Sequence, residues 1–234
     1  MSILERTRLA VVPARGGSKR FRNKNIAMLN GKPLIMHTID VACEFFDTVV
    51  FTTDSEKIME VVKKHSTHEN LVMMKRKPQL ATDTSKVIDT VEHIWNHFEK
   101  KEKRYDQIWL LLPTCPLRTV KDIRAAAHLL TPTADSVVSV TEYEFPPTLK
   151  ISINKHGRID PDNEFAKGNS RSQDHPTFHR PNGALYGKWW YTFQYSKNFY
   201  TGNVRAYEMP RNRSVDIDTK DDLILAEVYL NGKK

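Results

Sequence analysis

A basic, glycine-containing loop is the clearest sign of chemistry in this sequence. It spans residues 13–25, reads PARGGSKRFRNKN, and directly follows a short apolar run at 9–12. Two adjacent glycines allow a tight turn that exposes backbone N–H groups to an anion. Arg15, Lys19 and Lys24 can neutralise phosphate oxygens. The spacing matches neither GxxxxGK[ST] nor GxGxxG. We predict a phosphate site of another type; the alternatives are a solvated basic turn and a nucleic-acid patch.

A pair of carboxylates near the end of the chain predicts a metal site. Asp216 and Asp218 are two residues apart in VDIDT, and in an extended segment such side chains point the same way. Their charges repel unless a cation bridges them, and Mg²⁺ favours one or two carboxylates together with phosphate oxygens. Capping of the following helix would explain Asp218 but not Asp216. Both interpretations stay open at this point.

Polar residues follow other apolar runs. Arg76 and Asp83 lie in the segment 75–85, where the plain interpretation is a surface cation and a helix cap. Asp54 also precedes a helical pattern and is predicted to be a cap. The segment 110–119 contains two prolines and is predicted to be a rigid turn. Asn182 and the glycine after it have the local pattern of a turn.

Nucleophilic and zinc chemistry have little support. Cys115 has no nearby histidine at nucleophile spacing, so a catalytic thiol is not expected. Two pairs among the nine histidines, His93 with His97 and His175 with His179, have HxxxH spacing, but no Cys/His cluster accompanies either pair, and zinc is not expected.

The elements that position these residues alternate between strand and helix patterns. Strands are predicted at 9–12, 48–53, 71–74, 108–112, 136–140, 148–153, 184–186 and 204–207. Helices are predicted at 33–46, 55–65, 85–100, 120–130 and 219–229, the last with a capping box formed by Thr219 and Asp222. Such alternation indicates βαβ units around a mostly parallel sheet, with helices on both faces. Ligands then bind in the loops at the carboxyl ends of the strands.

The alternation stops between residues 142 and 180, a polar stretch that contains four prolines. We predict one α/β domain formed by 1–141 and 181–234, interrupted by an inserted segment at 142–180.

Composition limits the class of protein. The 234 residues are 39% apolar, too many for a disordered chain, and the two cysteines form no disulfide framework. No apolar run reaches the roughly 20 residues that span a bilayer, and the first residues do not resemble a signal peptide. We therefore expect a cytoplasmic protein without a membrane partner. The net charge of +8 favours an anionic partner, either a small phosphorylated ligand or nucleic acid.

Taken together, five segments resemble one family, the CMP-N-acylneuraminate synthetases (N-acylneuraminate cytidylyltransferases). In chain order they read PARGGSKRFRNKN, RKPQLATDTS, LLPTCPLRT, RPNGALYG and DIDTKDDLILAE, and they span residues 13–227. The resemblance implies a Rossmann-like α/β fold that transfers CMP from CTP to the anomeric hydroxyl of a nine-carbon keto-sugar acid and releases pyrophosphate. It also implies Mg²⁺ and a homodimer in which the inserted segment of one subunit packs over the site of the other.

The resemblance also implies roles for particular residues. The nucleotide would be held by Ala14, Arg15, Ser18, Lys19, Lys24, Asn25, Arg76 and Asp83. Asp216 and Asp218 would hold Mg²⁺, with Lys24 and Asp218 as the catalytic residues. The sugar acid would be bound by Lys150, Arg171, Arg180 and Asn182. Cations are expected there because the sugar carries a carboxylate.

Two positions depart from the family pattern. The family commonly reads QPTSPLR, but Leu112 stands where that glutamine would be. Family members also commonly carry an arginine directly before a Gln-Asp pair, where this chain has Ser172 with Arg171 one place earlier. By resemblance both positions face the acceptor. A relative such as legionaminic or pseudaminic acid is therefore the alternative acceptor. The alternatives are a nucleotidyltransferase acting on another acidic sugar or a sugar phosphate, and a non-enzymatic nucleic-acid binder.

Overall fold

The computed structural model describes residues 6–18, 20–161, 163–168 and 171–232; Lys19, one of the predicted phosphate ligands, lies outside them. The strands in chain order are β1 (Arg8–Pro13), β2 (Met28–Leu29), β3 (Lys32–Pro33), β4 (Thr48–Thr53), β5 (Leu71–Lys75), β6 (Gln107–Leu110), β7 (Ser136–Glu142), β8 (His179–Trp189) and β9 (Val204–Glu208). The helices are α1 (Leu34–Cys43), α2 (Glu56–His65), α3 (Val87–Glu99), α4 (Val120–Leu129), α5 (Trp190–Ser196) and α6 (Lys220–Asn231).

Seven strands form one sheet in the spatial order β5-β4-β1-β6-β8-β7-β9, and β2 pairs with β3 in a small hairpin. Strands β5, β4, β1 and β6 are parallel to one another, as are β7 and β9. Strand β8 is antiparallel to both of its neighbours. The predicted mostly parallel sheet is confirmed, and the carboxyl ends of β1, β4 and β6 meet at one edge.

The sheet is covered on both faces because its central strands are apolar on alternate sides. In β1, Ala10 and Val12 pack with helices α1, α2 and α4, while Leu9 and Val11 pack with α3 and α5. All four side chains are fully buried. Strands buried on both faces read as continuous apolar runs, and the run at 9–12 is one of these.

Two predictions about local structure are wrong. The expected strand at 148–153 is instead a single 3-10 turn, Pro147–Leu149, followed by an isolated bridge between Ile153 and Ile159. Pro146 precedes that turn and Pro147 begins it; both fix φ and lack an N–H donor, which favours a turn here over a paired strand. The expected turn at Asn182 lies inside β8.

The feature at Asn182 is a bulge in the long strand β8. Pairing with β7 changes register between Val138, which faces Tyr186, and Val140, which faces Pro181. Gly183 adopts φ +79° within this irregularity. A glycine in the left-handed region is a common device at β-bulges, which bend a strand and redirect its side chains.

The segment between β7 and β8 contains little regular structure in its described residues. It includes the 3-10 turns Pro147–Leu149 and Ser172–Asp174, and most of its side chains are exposed. Because β7 and β8 flank it as paired strands, it leaves and re-enters the sheet at one place. Its assignment as a separate unit at 142–180 stays a prediction. Within the described part of the chain, no helix has the length and apolar character needed to cross a membrane.

Candidate active site

A cleft of about 390 Å³ lies at the carboxyl edge of the parallel strands. It is lined by the loop after β1, by residues 112–114 after β6, and by Asp218. Five predicted site residues line it together: Arg15, Ser18, Lys24, Asn25 and Asp218. The structure therefore brings the two strongest chemical motifs of the sequence into one cleft.

The loop after β1 is held in place by its own polar groups. The buried side chain of Asn25 donates a hydrogen bond to the carbonyl oxygen of Arg15 at 3.0 Å. Ala14 is buried and its N–H donates to the carbonyl oxygen of Thr52, which continues the pairing of β1 with β4. Asn25 therefore fixes the two ends of the loop relative to each other.

The first glycine of the loop is required by a close approach to α2. The N–H of Gly16 donates to Asp54 Oδ1 at 3.0 Å, and a Cβ added at Gly16 would lie 2.9 Å from the Cβ of Ser55. Ser55, not Asp54, caps α2 by accepting from the Ile58 N–H. The cap predicted for Asp54 is therefore wrong, because its carboxylate is used to hold the loop.

Asp218 forms two ion pairs with the loop. Its Oδ1 lies 2.8 Å from Lys24 Nζ and its Oδ2 lies 2.6 Å from Arg20 Nη2. Helix α6 is capped by Thr219, whose hydroxyl accepts from the Asp222 N–H, so the predicted capping box is confirmed. Asp218 is not the cap, and the capping interpretation no longer explains it.

Alternation in the segment 215–218 directs both carboxylates away from the core. Val215 and Ile217 are buried in a cluster that includes Phe21 of the basic loop, whereas Asp216 is exposed and Asp218 is partly exposed. The N–H of Ile217 donates to the carbonyl oxygen of Thr114 at 2.8 Å, which fixes the segment to the loop after β6. The basic loop and the carboxylates are therefore joined through a shared apolar cluster.

The donor set suits a cation that shares its coordination with phosphate. No group of three or more His, Cys, Asp or Glu that could hold a metal occurs among the described residues. Asp218 lines the basic cleft, whereas Asp216, two residues earlier, is exposed and does not line it. One or two carboxylates are what Mg²⁺ usually takes from a protein when phosphate oxygens supply further ligands. The chemistry of Asp216 and Asp218 thus fits Mg²⁺ bound with a nucleotide, and the metal role stays a prediction.

Two further cavities adjoin the cleft. Ser18 lines the cleft and also a second cavity with Asp83, while Ala81 and Thr82 line the second cavity and also a third with Arg76. The three cavities thus form a continuous surface around the basic loop.

Asp83 and Arg76 are anchored near that loop. Asp83 lies 3.5 Å from Arg15 Nη1, and α3 begins after Lys86, so Asp83 does not cap it. Arg76 is buried, donates to the Thr52 carbonyl oxygen at 3.1 Å, and has a buried Nε without a hydrogen-bond partner. Burial lowers the pKa of Arg76, an effect opposed by Asp54. Arg76 is therefore not the ordinary surface cation that the plain interpretation predicted.

The loop after β6 is shaped by Arg118, which lies near the end of the segment 110–119 that was predicted only to be a rigid turn. Arg118 is fully buried; it donates to Thr38 Oγ1 at 2.7 Å and also to the Leu112 carbonyl oxygen. Burial lowers its pKa to about 10, and it stays charged at neutral pH. The buried guanidinium fixes the backbone of a cleft-lining residue, Leu112.

Replacing Arg118 with methionine is expected to lower the free energy of unfolding by about 2–4 kcal/mol, because the Leu112 carbonyl and the Thr38 hydroxyl lose a buried charged donor. Urea denaturation followed by circular dichroism measures this. Arg124→Met, at an exposed position of α4, is the control and should cost little. Equal stability losses in the two variants would show that the buried donor contributes nothing.

Cys115 is a structural thiol. It is fully buried, donates to the Asn182 carbonyl oxygen at 2.9 Å, and lies 3.8 Å from Asp216 Oδ1. Burial and then the nearby Asp216 raise the pKa of Cys115 to about 12. A Cβ on Gly183 would lie 2.9 Å from its sulfur, so the bulge in β8 packs directly on the loop after β6. The thiol therefore stays protonated at neutral pH.

The residues predicted to bind sugar are not gathered in the cleft. Asn182 is buried, and its amide oxygen accepts from Ser139 Oγ at 2.6 Å while its nitrogen donates to Ser214 Oγ at 2.9 Å. Its side chain therefore links Ser139 of β7 to Ser214, the residue before the segment 215–218, and does not line the cleft. Lys150 and Arg171 are exposed on the inserted segment and Arg180 is half-buried in β8; none of them lines the three cavities. Their sugar-binding roles stay predictions.

Comparison with known proteins identifies the family. A model of the family described as "Cytidylyltransferase" matches residues 9–231, nearly the whole chain. The chain belongs to this family. The resemblance found in the sequence is thereby confirmed, and the predicted enzyme class, a nucleotidyltransferase, agrees with it.

Relatives within the cytidylyltransferase family differ in length and in the sugar that their names give. The chain is 35% identical over 222 residues to the CMP-N,N'-diacetyllegionaminic acid synthase of Legionella pneumophila, covering 94% of each chain. It is 34% identical over 221 residues to the N-acylneuraminate cytidylyltransferase of Streptococcus agalactiae, covering 92% of this chain and 51% of that one. The chain thus spans about half the length of the Streptococcus protein.

A solved structure confirms the architecture of this family member. The CMP:2-keto-3-deoxy-manno-octonic acid synthetase complexed with CTP superposes with a TM-score of 0.67 and 17% identity, covering 97% of this chain and 100% of that one. At this identity the likeness supports the predicted Rossmann-like α/β fold alone.

Proposed function

We propose that this protein transfers CMP from CTP to the anomeric hydroxyl of an N-acylneuraminate-type nonulosonic acid. The observation that carries the proposal is the contact of 2.8 Å between Lys24 and Asp218, which are 194 residues apart, inside a basic cleft at the carboxyl edge of the sheet. The names of both curated relatives support it. In the reaction, the sugar oxygen attacks the α-phosphorus, the bond to the bridging oxygen breaks, pyrophosphate leaves with the electron pair, and the hydroxyl proton passes to solvent.

The chain's own residues supply binding, orientation and charge. Such a displacement needs charge neutralisation and in-line positioning more than covalent help. Lys24 is only 12% exposed, so its ammonium interacts strongly with a phosphate brought into the cleft. Arg15 and the N–H groups of the loop add donors beside it. Mg²⁺, held by Asp216 and Asp218, would supply further positive charge and lower the pKa of the attacking hydroxyl.

The identity of the acceptor sugar depends on the residues at the sugar side of the cleft, and Leu112 is one of them. Leu112 places an apolar, half-buried side chain in the cleft where the family commonly has glutamine. An apolar wall disfavours a hydroxyl that glutamine would bind, because that hydroxyl would be left without a partner. Legionaminic or pseudaminic acid is therefore retained as the alternative to N-acetylneuraminic acid.

The proposal is tested by pyrophosphate release from each nucleoside triphosphate with a panel of sugar acids and sugar phosphates in Mg²⁺. We expect release with CTP and a nonulosonic acid, together with a CMP conjugate by mass spectrometry. Release with a sugar phosphate alone would contradict the proposed acceptor class. Binding to nucleic acid that weakens steeply with salt, with no response to CTP, would support a nucleic-acid binder instead. A cytoplasmic location fits the proposed use of CTP and the two free cysteines.

We also propose that the protein is a homodimer, in which the inserted segment of one subunit packs over the active site of the other. The described part of that segment exposes several apolar side chains: Phe145 (54%), Ile151 (45%), Ile153 (66%), Ile159 (53%) and Phe165 (43%). Several exposed apolar side chains on one segment of the chain are consistent with a contact surface. A monomeric mass by sedimentation equilibrium at working concentration would contradict this arrangement.

Lys150→Ala is expected to raise the KM for the sugar acid about tenfold, because one charge-assisted contact to the carboxylate is lost, and to leave the KM for CTP unchanged. Steady-state kinetics with each substrate varied in turn measures the two constants. Lys155→Ala removes the same charge from another exposed position of the inserted segment and should change neither constant. If the sugar KM of Lys150→Ala equals that of the control, Lys150 does not bind the sugar.

A further inference from the structure

Arg20 is a basic residue of the cleft that is not among the predicted site residues. It lies in the loop after β1 and lines the same cavity as Arg15 and Lys24. Its guanidinium reaches across to Asp218 Oδ2 at 2.6 Å although its side chain is 72% exposed. An exposed arginine is ordinarily free to sample many rotamers, so this position is set by its acidic partner.

The two cations on Asp218 differ in how firmly they are held. Lys24 is 12% exposed and contacts Oδ1, whereas Arg20 projects from the rim and contacts Oδ2. Phe21, the residue after Arg20, packs in the cluster with Val215 and Ile217. The backbone that carries Arg20 is therefore fixed relative to Asp218, and only the outer part of the arginine side chain needs to move for the contact to change.

We propose that Arg20 is a further phosphate-binding residue, which Asp218 holds at the cleft until the nucleotide binds. This inference rests on the proposed function. A carboxylate with a cation on each oxygen is poorly available to a metal, so binding of the nucleotide with its metal releases Arg20 from Asp218. The freed guanidinium then lies within the cleft that receives the triphosphate, and its planar fork matches two phosphate oxygens.

The proposal assigns Arg20 to the outer phosphates. Arg20 lies at the exposed rim, while Lys24 lies deeper beside the same carboxylate. The β- and γ-phosphates become the pyrophosphate product, so Arg20 would contact the leaving group. Its contribution should therefore depend on the number of phosphates in the ligand.

The test compares Arg20→Gln with the wild-type protein by titration calorimetry with CTP and with CMP, and by electron paramagnetic resonance of Mn²⁺ without nucleotide. We expect CTP affinity to fall about tenfold, corresponding to the loss of one charge-assisted contact, and CMP affinity to change less than twofold. We expect Mn²⁺ to bind more tightly to the variant, because Asp218 has lost a competing cation.

Arg104→Gln is the matched control. Arg104 is 70% exposed and pairs with Glu99 at 2.9 Å, away from the cleft, so it reproduces the loss of an exposed arginine ion pair. If Arg20→Gln matches this control for CTP and Mn²⁺, or if it weakens CTP and CMP equally, the assignment to the outer phosphates is wrong. Tighter CTP binding by the variant would also overturn it, since Arg20 would then act only as a competitor.

Failure of this inference can be distinguished from failure of the proposed function. If the wild-type protein binds CTP and forms the CMP conjugate while Arg20→Gln behaves as the control does, only the role of Arg20 is refuted. If the wild-type protein neither binds CTP nor releases pyrophosphate, the proposed function fails, and the role of Arg20 fails with it.

Discussion

Asp218→Asn is expected to reduce kcat at least a hundredfold and to leave the fold intact. The amide has the shape of the carboxylate but no charge, so it is a poor ligand for Mg²⁺ and no longer attracts Lys24. Asp218 is partly exposed, which keeps the effect on stability small. Pyrophosphate release measured from low to high Mg²⁺ checks the result, and we expect the requirement for Mg²⁺ to rise as kcat falls.

Asp221→Asn is the matched control for this substitution. Asp221 lies three residues further on, in the first turn of α6, and is exposed. The control removes the same charge at the same end of the helix, so it isolates effects of the helix dipole and of net charge. Normal turnover by Asp218→Asn at low Mg²⁺ would show that Asp218 neither holds the metal nor positions Lys24.

The sequence predicted the sheet well because its signals are local. The run at 9–12 is apolar throughout, and the run at 48–53 has an apolar centre, VVF, flanked by threonines. Both are buried in β1 and β4, as expected for strands covered on both faces. Once the sheet is parallel, its connectivity brings the loops after β1 and β6 to one edge. The place of the cleft thus follows from the pattern of strands and helices.

Local sequence patterns do not predict contacts between segments that are distant in the chain. Neither the pairing of Arg20 with Asp218 nor the burial of Arg118 has a local pattern, since each depends on segments that meet only in the folded chain. Asn182 and Gly183 have the local pattern of a turn, yet both lie within β8. There the buried amide of Asn182 bonds to Ser139 and Ser214, and that network decides the conformation.

The strand predicted at 148–153 of the inserted segment is wrong for a related reason. Its apolar residues alternate as in a strand, but the isoleucines at 151, 153 and 159 remain exposed in the single chain. Apolar alternation indicates a surface to be buried, and it does not specify which chain buries it. The pattern that predicted a strand is equally compatible with the proposed contact to a second subunit.

Lys24→Met is expected to lower kcat by about a hundredfold or more, the second large effect in this cleft. Methionine keeps much of the apolar stem but removes the ammonium from a site that is only 12% exposed, where a charge interacts more strongly than in water. Single-turnover kinetics with saturating CTP separates this loss from weaker binding. Lys32→Met is the control, because Lys32 also pairs with an aspartate, Asp40, but is 42% exposed and lies outside the cleft.

Combining Lys24→Met with Asp218→Asn tests whether the two residues act as a unit. Each single substitution breaks the contact between Lys24 and Asp218. Part of the fall in kcat is therefore common to both single variants. We therefore expect the double variant to be much less impaired than the product of the two single effects. Independent, multiplicative losses would mean that the contact of 2.8 Å is incidental to turnover. Lys24 and Asp218 would then have to act at separate steps, and the observation on which the proposed function depends would lose its force.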